Sequence, residues 1–261
     1  MIRVKNKFNE LKQKKQKAFG VFLTAGYPSL EYSKDIFKTI LDAEVDFIEI
    51  GLPFSDPMAD GPLIQHSSQI AIEQNTSVEE CFKLVKEIRK INNDIPIILM
   101  GYYNPIHYYG NLKFIKKAVS SGIDGLIIVD LPMEEDEELY NSSYKCNLPL
   151  IRLVTPTTDE KRLKKILKNA LGFVYYVSVT GITGTKSASV KDVKNKIKAI
   201  NKITNLPVIA GFGIKNPIDA KKMSSISDGI VIGSSLVKKI EEVYKKKNGL
   251  KEIYKFLKSF N

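Results

Sequence analysis

Glu79-Glu-Cys-Phe-Lys-Leu-Val-Lys-Glu-Ile-Arg89, followed by Ile95-Pro-Ile-Ile-Leu-Met100, is the stretch whose reading decides the fold. In the first part Phe82, Leu84, Val85 and Ile88 build one apolar stripe at helical spacing, with Cys81 at a packing position on it. The second part is a short, nearly continuous apolar run, the pattern of a parallel strand covered on both faces.

The same pairing extends in both directions along the chain. Strand-like runs centre on Phe19–Thr24, Phe47–Ile50, Ile95–Met100, Gly125–Val129, Leu150–Val154, Phe173–Val177, Pro207–Ala210 and Gly229–Ile232. They recur about every 23 to 33 residues, with roughly 50 between the second and third. Eight such units in a chain of 261 residues predict an α/β fold of the (β/α)8-barrel kind rather than an open doubly wound sheet. One domain over residues 1–261 is expected, since no linker composition or low-complexity segment divides it. Val4, Phe8 and Leu11 share a face of an extra N-terminal helix; Leu250, Ile253, Tyr254 and Leu257 share a face of a last one. Either helix would pack on the barrel's exterior or close its bottom. The insertion after strand two, Pro53 to about Thr76, reads as a long loop on the carboxyl-terminal face, where barrel enzymes keep their chemistry.

Composition excludes several classes. Lys and Arg number 40 against 29 Asp and Glu, a formal net charge of +11, but arginine occurs only at positions 3, 89, 152 and 162, and the lysines are scattered. Nucleic-acid surfaces favour arginine and aromatic groups clustered on one face, so these lysines read as solvated helix faces and no nucleic-acid partner is expected. No apolar run approaches the roughly 20 residues of a membrane-spanning helix. Cys81 and Cys146 lie far apart in a chain that opens with polar residues, which predicts a reduced, cytoplasmic protein. His66 and His107 have no metal-ligand spacing, so no metal is expected, and neither a phosphate-binding Walker loop nor a dinucleotide fingerprint is present.

Three features could carry chemistry. Glu49, at the carboxyl end of the second strand, would aim a carboxyl group into the barrel mouth from an apolar wall, where burial raises its pKa toward neutrality. The alternative is a buried Glu satisfied by a Tyr or Lys partner. Asp56 and Asp60 sit in the turn-rich Pro53-Phe-Ser-Asp-Pro-Met-Ala-Asp-Gly-Pro62. On spacing alone a turn role leads for each, although a second carboxylate beside Glu49 would complete an acid/base pair in two different environments. Glycines also follow the last three strands, in Thr180-Gly-Ile-Thr-Gly184, Gly211-Phe-Gly213 and Gly233-Ser-Ser235. Main-chain amides exposed there could hold a phosphate; Ser234 or Ser235 could at the same time cap a helix from Leu236 to Val243.

From Phe19 to about Ile240 the chain resembles the tryptophan synthase alpha subunit family. The likeness lies in Phe22-Leu-Thr-Ala-Gly-Tyr-Pro28, Glu49-Ile-Gly-Leu-Pro-Phe-Ser-Asp-Pro-Met-Ala-Asp-Gly-Pro62, Met100-Gly-Tyr-Tyr-Asn-Pro-Ile106, Asp130-Leu-Pro-Met-Glu-Glu135, Thr155-Pro-Thr-Thr158, Gly172-Phe-Val-Tyr-Tyr-Val-Ser178 and Ala210-Gly-Phe-Gly-Ile214. The second of these is highly specific. The resemblance implies retro-aldol cleavage of indole-3-glycerol phosphate to indole and glyceraldehyde 3-phosphate, without a cofactor in this subunit. It also implies a pyridoxal-phosphate beta subunit as partner in an α2β2 assembly. Glu49 matches the acid and Asp60 the group facing the indole nitrogen. Phe22, Ile64, Met100, Ile127 and Val129 match positions around the indole, with Tyr102 and Tyr175 near it; Thr183, Gly184, Gly213, Gly233 and Ser234 match phosphate and lid positions, and the resemblance adds Phe212 and Ile232 as substrate-binding residues. Thr155, Lys186 and Ser235 depart mildly from the family pattern. Two other readings stand beside this one: an allosteric module for the beta subunit with weak chemistry of its own, and another phosphate-binding barrel of aromatic biosynthesis, although such barrels lack the Pro53 to Pro62 loop.

Overall fold

Val, Ile and Leu dominate the apolar runs, and in the computed structural model, which describes residues 2–177, 190–211 and 213–260, those runs form one parallel sheet. Its strands are β1 (Ala18–Thr24), β2 (Phe47–Gly51), β3 (Ile97–Gly101), β4 (Gly125–Ile128), β5 (Arg152–Val154), β6 (Val174–Val177), β7 (Val208–Gly211) and β8 (Gly229–Ile232). They lie in the order β4-β3-β2-β1-β8-β7-β6-β5. The two ends meet at Leu126, whose amide donates to Pro149 at 2.9 Å and whose carbonyl accepts from Ile151 at 2.8 Å, so the sheet curls into the expected barrel.

The surrounding helices are α1 (Ile2–Lys14), α2 (Leu30–Asp42), α3 (Pro62–Glu73), α4 (Val78–Ile91), α5 (Tyr103–Tyr109), α6 (Asn111–Ser121), α7 (Glu137–Lys145), α8 (Glu160–Lys168), α9 (Val190–Asn201), α10 (Pro217–Ser224), α11 (Ser234–Val243) and α12 (Gly249–Lys258). The stripe read from sequence is the buried face of α4, and Cys81 lies on it. The insertion after β2 is a loop followed by α3, whose start is set by Gly61 and by Pro62 in the first turn, where a missing N–H costs nothing.

Period-two alternation sorts the strand side chains. Val21, Leu23, Ile48, Ile50, Ile97, Leu99, Leu126, Ile128, Ile230 and Ile232 face outward into the layer shared with the helices. Phe47, Ile98, Met100, Ile127, Ile151, Phe173, Tyr175, Ile209 and Val231 fill the interior. The floor of that interior is α1: Phe8 packs at 5.6 Å from Phe173 and 6.1 Å from Phe47, between ring centroids. Burial of Val4, Phe8 and Leu11 stabilises this plug by roughly 1.5–3 kcal/mol per side chain. Asp124, 2 % exposed, fastens α1 and α4 to the same end by pairing with Arg3 at 3.0 Å and Arg89 at 2.6 Å. α12 instead packs outside, against α2 and α11, with Ile253 and Leu257 buried and Leu250 partly so. Tyr254 departs from the expected face and is 38 % exposed, because a final helix covered on one side leaves its flank in solvent.

Candidate active site

On β2 the alternation that turns Ile48 and Ile50 outward turns Phe47 and Glu49 inward, one layer apart. The next inward position is Gly51, where a β-carbon would stand 2.5 Å from the Phe22 ring, so the absent side chain makes room for that ring above Glu49. The carboxyl group of Glu49 is fully buried, and burial pushes its pKa up to about 8. Neither oxygen completes a hydrogen bond of ordinary geometry, although the Tyr175 hydroxyl lies close enough to favour the ionised form. A carboxyl group buried in this way is held protonated near neutral pH, with the Tyr175 hydroxyl beside it.

Asp60 reaches the same interior from the loop between β2 and α3. Gln65 Nε2 donates to the Asp60 carbonyl at 2.9 Å, Ser68 bonds both the amide and the carbonyl of Phe54, and Tyr102 stacks on Phe54 at 5.2 Å. Desolvation raises the Asp60 carboxylate to about 6, opposed by the hydrogen bond from Tyr102. Tyr175 joins the two acids. Its hydroxyl is held protonated far above the usual phenol range by burial, then by Glu49 and, less strongly, by Asp60. The two carboxyl groups therefore flank one buried ring. Asp56 takes the turn role instead, exposed and accepting from Ser55 at 2.6 Å.

Asp60 lies on the wall of a cavity of about 470 Å³ at the carboxyl ends of the strands, whereas Glu49 does not line it and is buried next to Tyr175, which does. The apolar part of the cavity comes from Phe22, Leu63, Ile64, Met100, Tyr175 and Val231. At the other end lie Gly213, Gly233, Ser234, Ser235, Lys215 and Lys238, beside the N-terminus of α11. A hollow of 590 Å³ against α1 lies at the opposite rim, where barrel folds keep stability rather than chemistry.

Several expected positions are moved by this geometry. Ile232 does not line the cavity: it points outward into the helix layer, and Val231, one residue earlier, takes the inward position. Ile127 pairs in register with Met100 and is sealed in the interior. Val129 is half-buried against that interior and borders a separate hollow of 320 Å³ with Arg152 and Thr155. Tyr102 bonds the loop carrying Asp60 and does not border the cavity. The α11 helix begins at Ser234, with Gly233 as N-cap and no side-chain cap, so neither Ser234 nor Ser235 caps a helix starting at Leu236. Thr183, Gly184, Phe212 and the segment Val179–Ser189 lie outside the described residues. Leu63, Ile214, Val231, Lys215 and Lys238 were not foreseen as lining residues; a count of inward parity along β8 would have selected Val231.

Among the described residues no cluster of His, Cys, Asp or Glu is placed to hold a metal ion, and no helix is long and apolar enough to cross a membrane. Fold and site together define a (β/α)8-barrel enzyme with acid/base chemistry at the carboxyl-terminal rim. The family described as tryptophan synthase alpha chain matches residues 8–261. The alpha chain of Geotalea daltonii is 45 % identical over 242 residues, 93 % of this chain and 91 % of that relative. Among solved structures, the alpha subunit from Legionella pneumophila str. Paris superposes with a TM-score of 0.91 at 33 % identity, covering 99 % of this chain and 96 % of its own. Tryptophan synthase from M. tuberculosis in an aminoacrylate-bound form does so with 0.88 at 25 % identity, covering 99 % and 97 %. This chain belongs to the tryptophan synthase alpha chain family, a family of lyases that catalyse the α reaction of tryptophan biosynthesis.

Proposed function

We propose that Glu49 and Asp60 carry the cleavage of indole-3-glycerol phosphate in this chain, acting together within one domain. The carbon that joins indole to the glycerol tail is a poor leaving group until indole C3 is protonated. Glu49, still protonated at neutral pH because burial holds its pKa near 8, gives that proton to C3. The positive charge this creates falls on the ring nitrogen, where the ionised Asp60 stabilises it and holds the N–H proton. The bond from C3 to the hydroxyl-bearing carbon then breaks. Its electron pair returns to the ring, and the hydroxyl proton passes to the Glu49 carboxylate as the aldehyde forms. Glu49 ends as it began, protonated, and no step calls on a cofactor held by this chain.

What supports this reading above all is the buried, hydrogen-bond-poor carboxyl group of Glu49 sharing Tyr175 with Asp60. Phe22, Ile64 and Met100 suit the indole ring. Gly213, Gly233, Ser234 and the open amides of α11 suit the phosphate, and Thr183, Gly184 and Phe212 join them by family likeness.

The family implies a beta-subunit partner. An α2β2 assembly with a pyridoxal-phosphate beta subunit, in the cytoplasm, completes the proposal. Met58 in the loop after β2 and Tyr108 in α5, 69 % and 93 % exposed, favour a docking face on the same rim. Indole release from indole-3-glycerol phosphate, with and without added beta subunit, tests the reading. Release by the chain alone, increased in the complex, supports it; no release in either state overturns it, and release only in the complex favours the allosteric-module reading.

A further inference from the structure

We propose that the hollow against α1, at the amino-terminal end of the barrel, is a second ligand site, separate from the catalytic cavity, which binds a small organic carboxylate with an apolar body. The inference goes beyond the lyase reading and does not depend on it.

The hollow measures about 590 Å³, more than the catalytic cavity, and lies within the ~300–1,000 Å³ range of small-molecule sites. Its place is set by α1. That helix plugs the barrel floor with Phe8 against Phe173, and a gap is left between its flank and the turns that lead into β6, β7 and β8. Phe8, Leu11, Leu171, Leu206 and Pro207 make the apolar wall of the gap. Leu171 borders this space and stays 39 % exposed, an apolar surface that a ligand would remove from water.

The charge around that wall has one sign. Lys5, Lys12 and Lys15 border the hollow, and none of them forms an ion pair or a side-chain hydrogen bond among the described residues. Elsewhere on α1 the lysines are matched: Lys7 and Lys14 reach Glu10 at 3.4 and 2.6 Å, and Lys7 also lies 3.8 Å from Asp46. The one acid among the described lining residues, Asp228, is engaged by Lys17 at 3.8 Å and by the Val208 amide at 2.9 Å. A single exposed lysine attracts an anion weakly. Three unmatched ones around one apolar concavity select a ligand that brings both parts together, a body for the wall and a carboxylate for the rim. A neutral body leaves the cations unpaired, a cationic one is repelled, and an inorganic anion leaves the wall in water.

Titration calorimetry on the full-length chain tests this with two carboxylate probes, naphthalene-2-carboxylate for a flat body and decanoate for a linear one, and with naphthalene-2-methanol as the neutral control. The wild type is expected to bind at least one carboxylate saturably, at least ~5-fold tighter than the neutral control, with affinity falling as salt rises. K5M/K12M/K15M keeps the lysine stems without their charges, and Leu171→Glu puts a carboxylate on the wall at an exposed position. Each is expected to weaken binding at least ~5-fold while circular dichroism and indole formation stay as in the wild type. Location is read independently. The chain has no tryptophan, so in Leu171→Trp the only tryptophan emission comes from the hollow, and it is expected to change along the same binding curve. Failure of the wild type to bind either probe would overturn the site, as would binding that both folded variants leave unchanged or that Leu171→Trp does not register.

Discussion

The hydroxyl of Tyr102 donates to Asp60 Oδ2 at 3.0 Å and accepts the amide N–H of Ala59, also at 3.0 Å. One phenol thus holds both the catalytic carboxylate proposed on this loop and the backbone beside it. In Tyr102→Phe the amide and the carboxylate each lose a partner, a change of about 1 kcal/mol or more per bond. Turnover is expected to fall ~5-fold or further. Because the hydrogen bond lowers the Asp60 pKa, its removal also moves the acidic limb of the kcat/KM profile to higher pH. An unmoved acidic limb would show that the bond does not tune Asp60.

The pH profile of kcat/KM in the intact chain follows from the same two groups. Asp60 acts ionised, so activity declines as pH falls through about 6; Glu49 starts protonated, so activity declines as pH rises through about 8. A bell with its plateau between those values is expected. The upper limb should be absent from the residual activity of Glu49→Gln, and persistence of that limb would assign it to another group.

Gly211 and Tyr175 define a steric prediction. A β-carbon at position 211 would lie 2.0 Å from the Tyr175 hydroxyl and 2.3 Å from its Cζ, so the ring would have to shift. Gly211→Ala is expected to cost ~1–3 kcal/mol in urea unfolding and to displace the ring that faces Glu49, lowering turnover at least ~10-fold. Gly61→Ala, where an added β-carbon meets nothing within 4 Å, serves as the stability control. Equal stability of the two variants would contradict the packing described.

Stability carries the signature of Glu49 as well. Its pKa is raised from 4.5 in the unfolded chain to about 8 in the fold, so between those values the native state binds more protons than the unfolded state. The contribution of Glu49 is complete below pH 4.5 and is lost as pH climbs to 8. Glu49→Gln lacks this dependence, and its stability relative to wild type should rise across that window by roughly 3–5 kcal/mol. Denaturant titrations of both chains at pH 5 and pH 8.5 measure it; a constant difference would mean that Glu49 is ionised throughout.

Much of this was legible in the sequence because parallel strands buried on both faces leave continuous apolar runs, and α4 leaves an unmistakable stripe. Glu49 stood out since a single charge inside Phe47-Ile-Glu-Ile50 has few structural excuses. Continuous runs, however, hide parity. Ile230, Val231 and Ile232 are equally apolar, so their chemistry does not say which faces inward; the structure turns Val231 inward and Ile232 outward. Lys215 and Lys238 were invisible for another reason: among 40 basic residues, nothing in their spacing separates a cavity-lining lysine from a solvated one. The bond from Tyr102 to Asp60 joins residues 42 positions apart and exists only once the rim is assembled.

The central claim is that two carboxyl groups of unlike pKa move the protons of the cleavage, and it is tested most directly by indole release from Glu49→Gln and Asp60→Asn chains in complex with the beta subunit, with circular dichroism confirming the fold. Each variant is predicted to lose at least ~10²-fold in kcat. Turnover within a few-fold of wild type in either folded variant would contradict the role assigned to that residue.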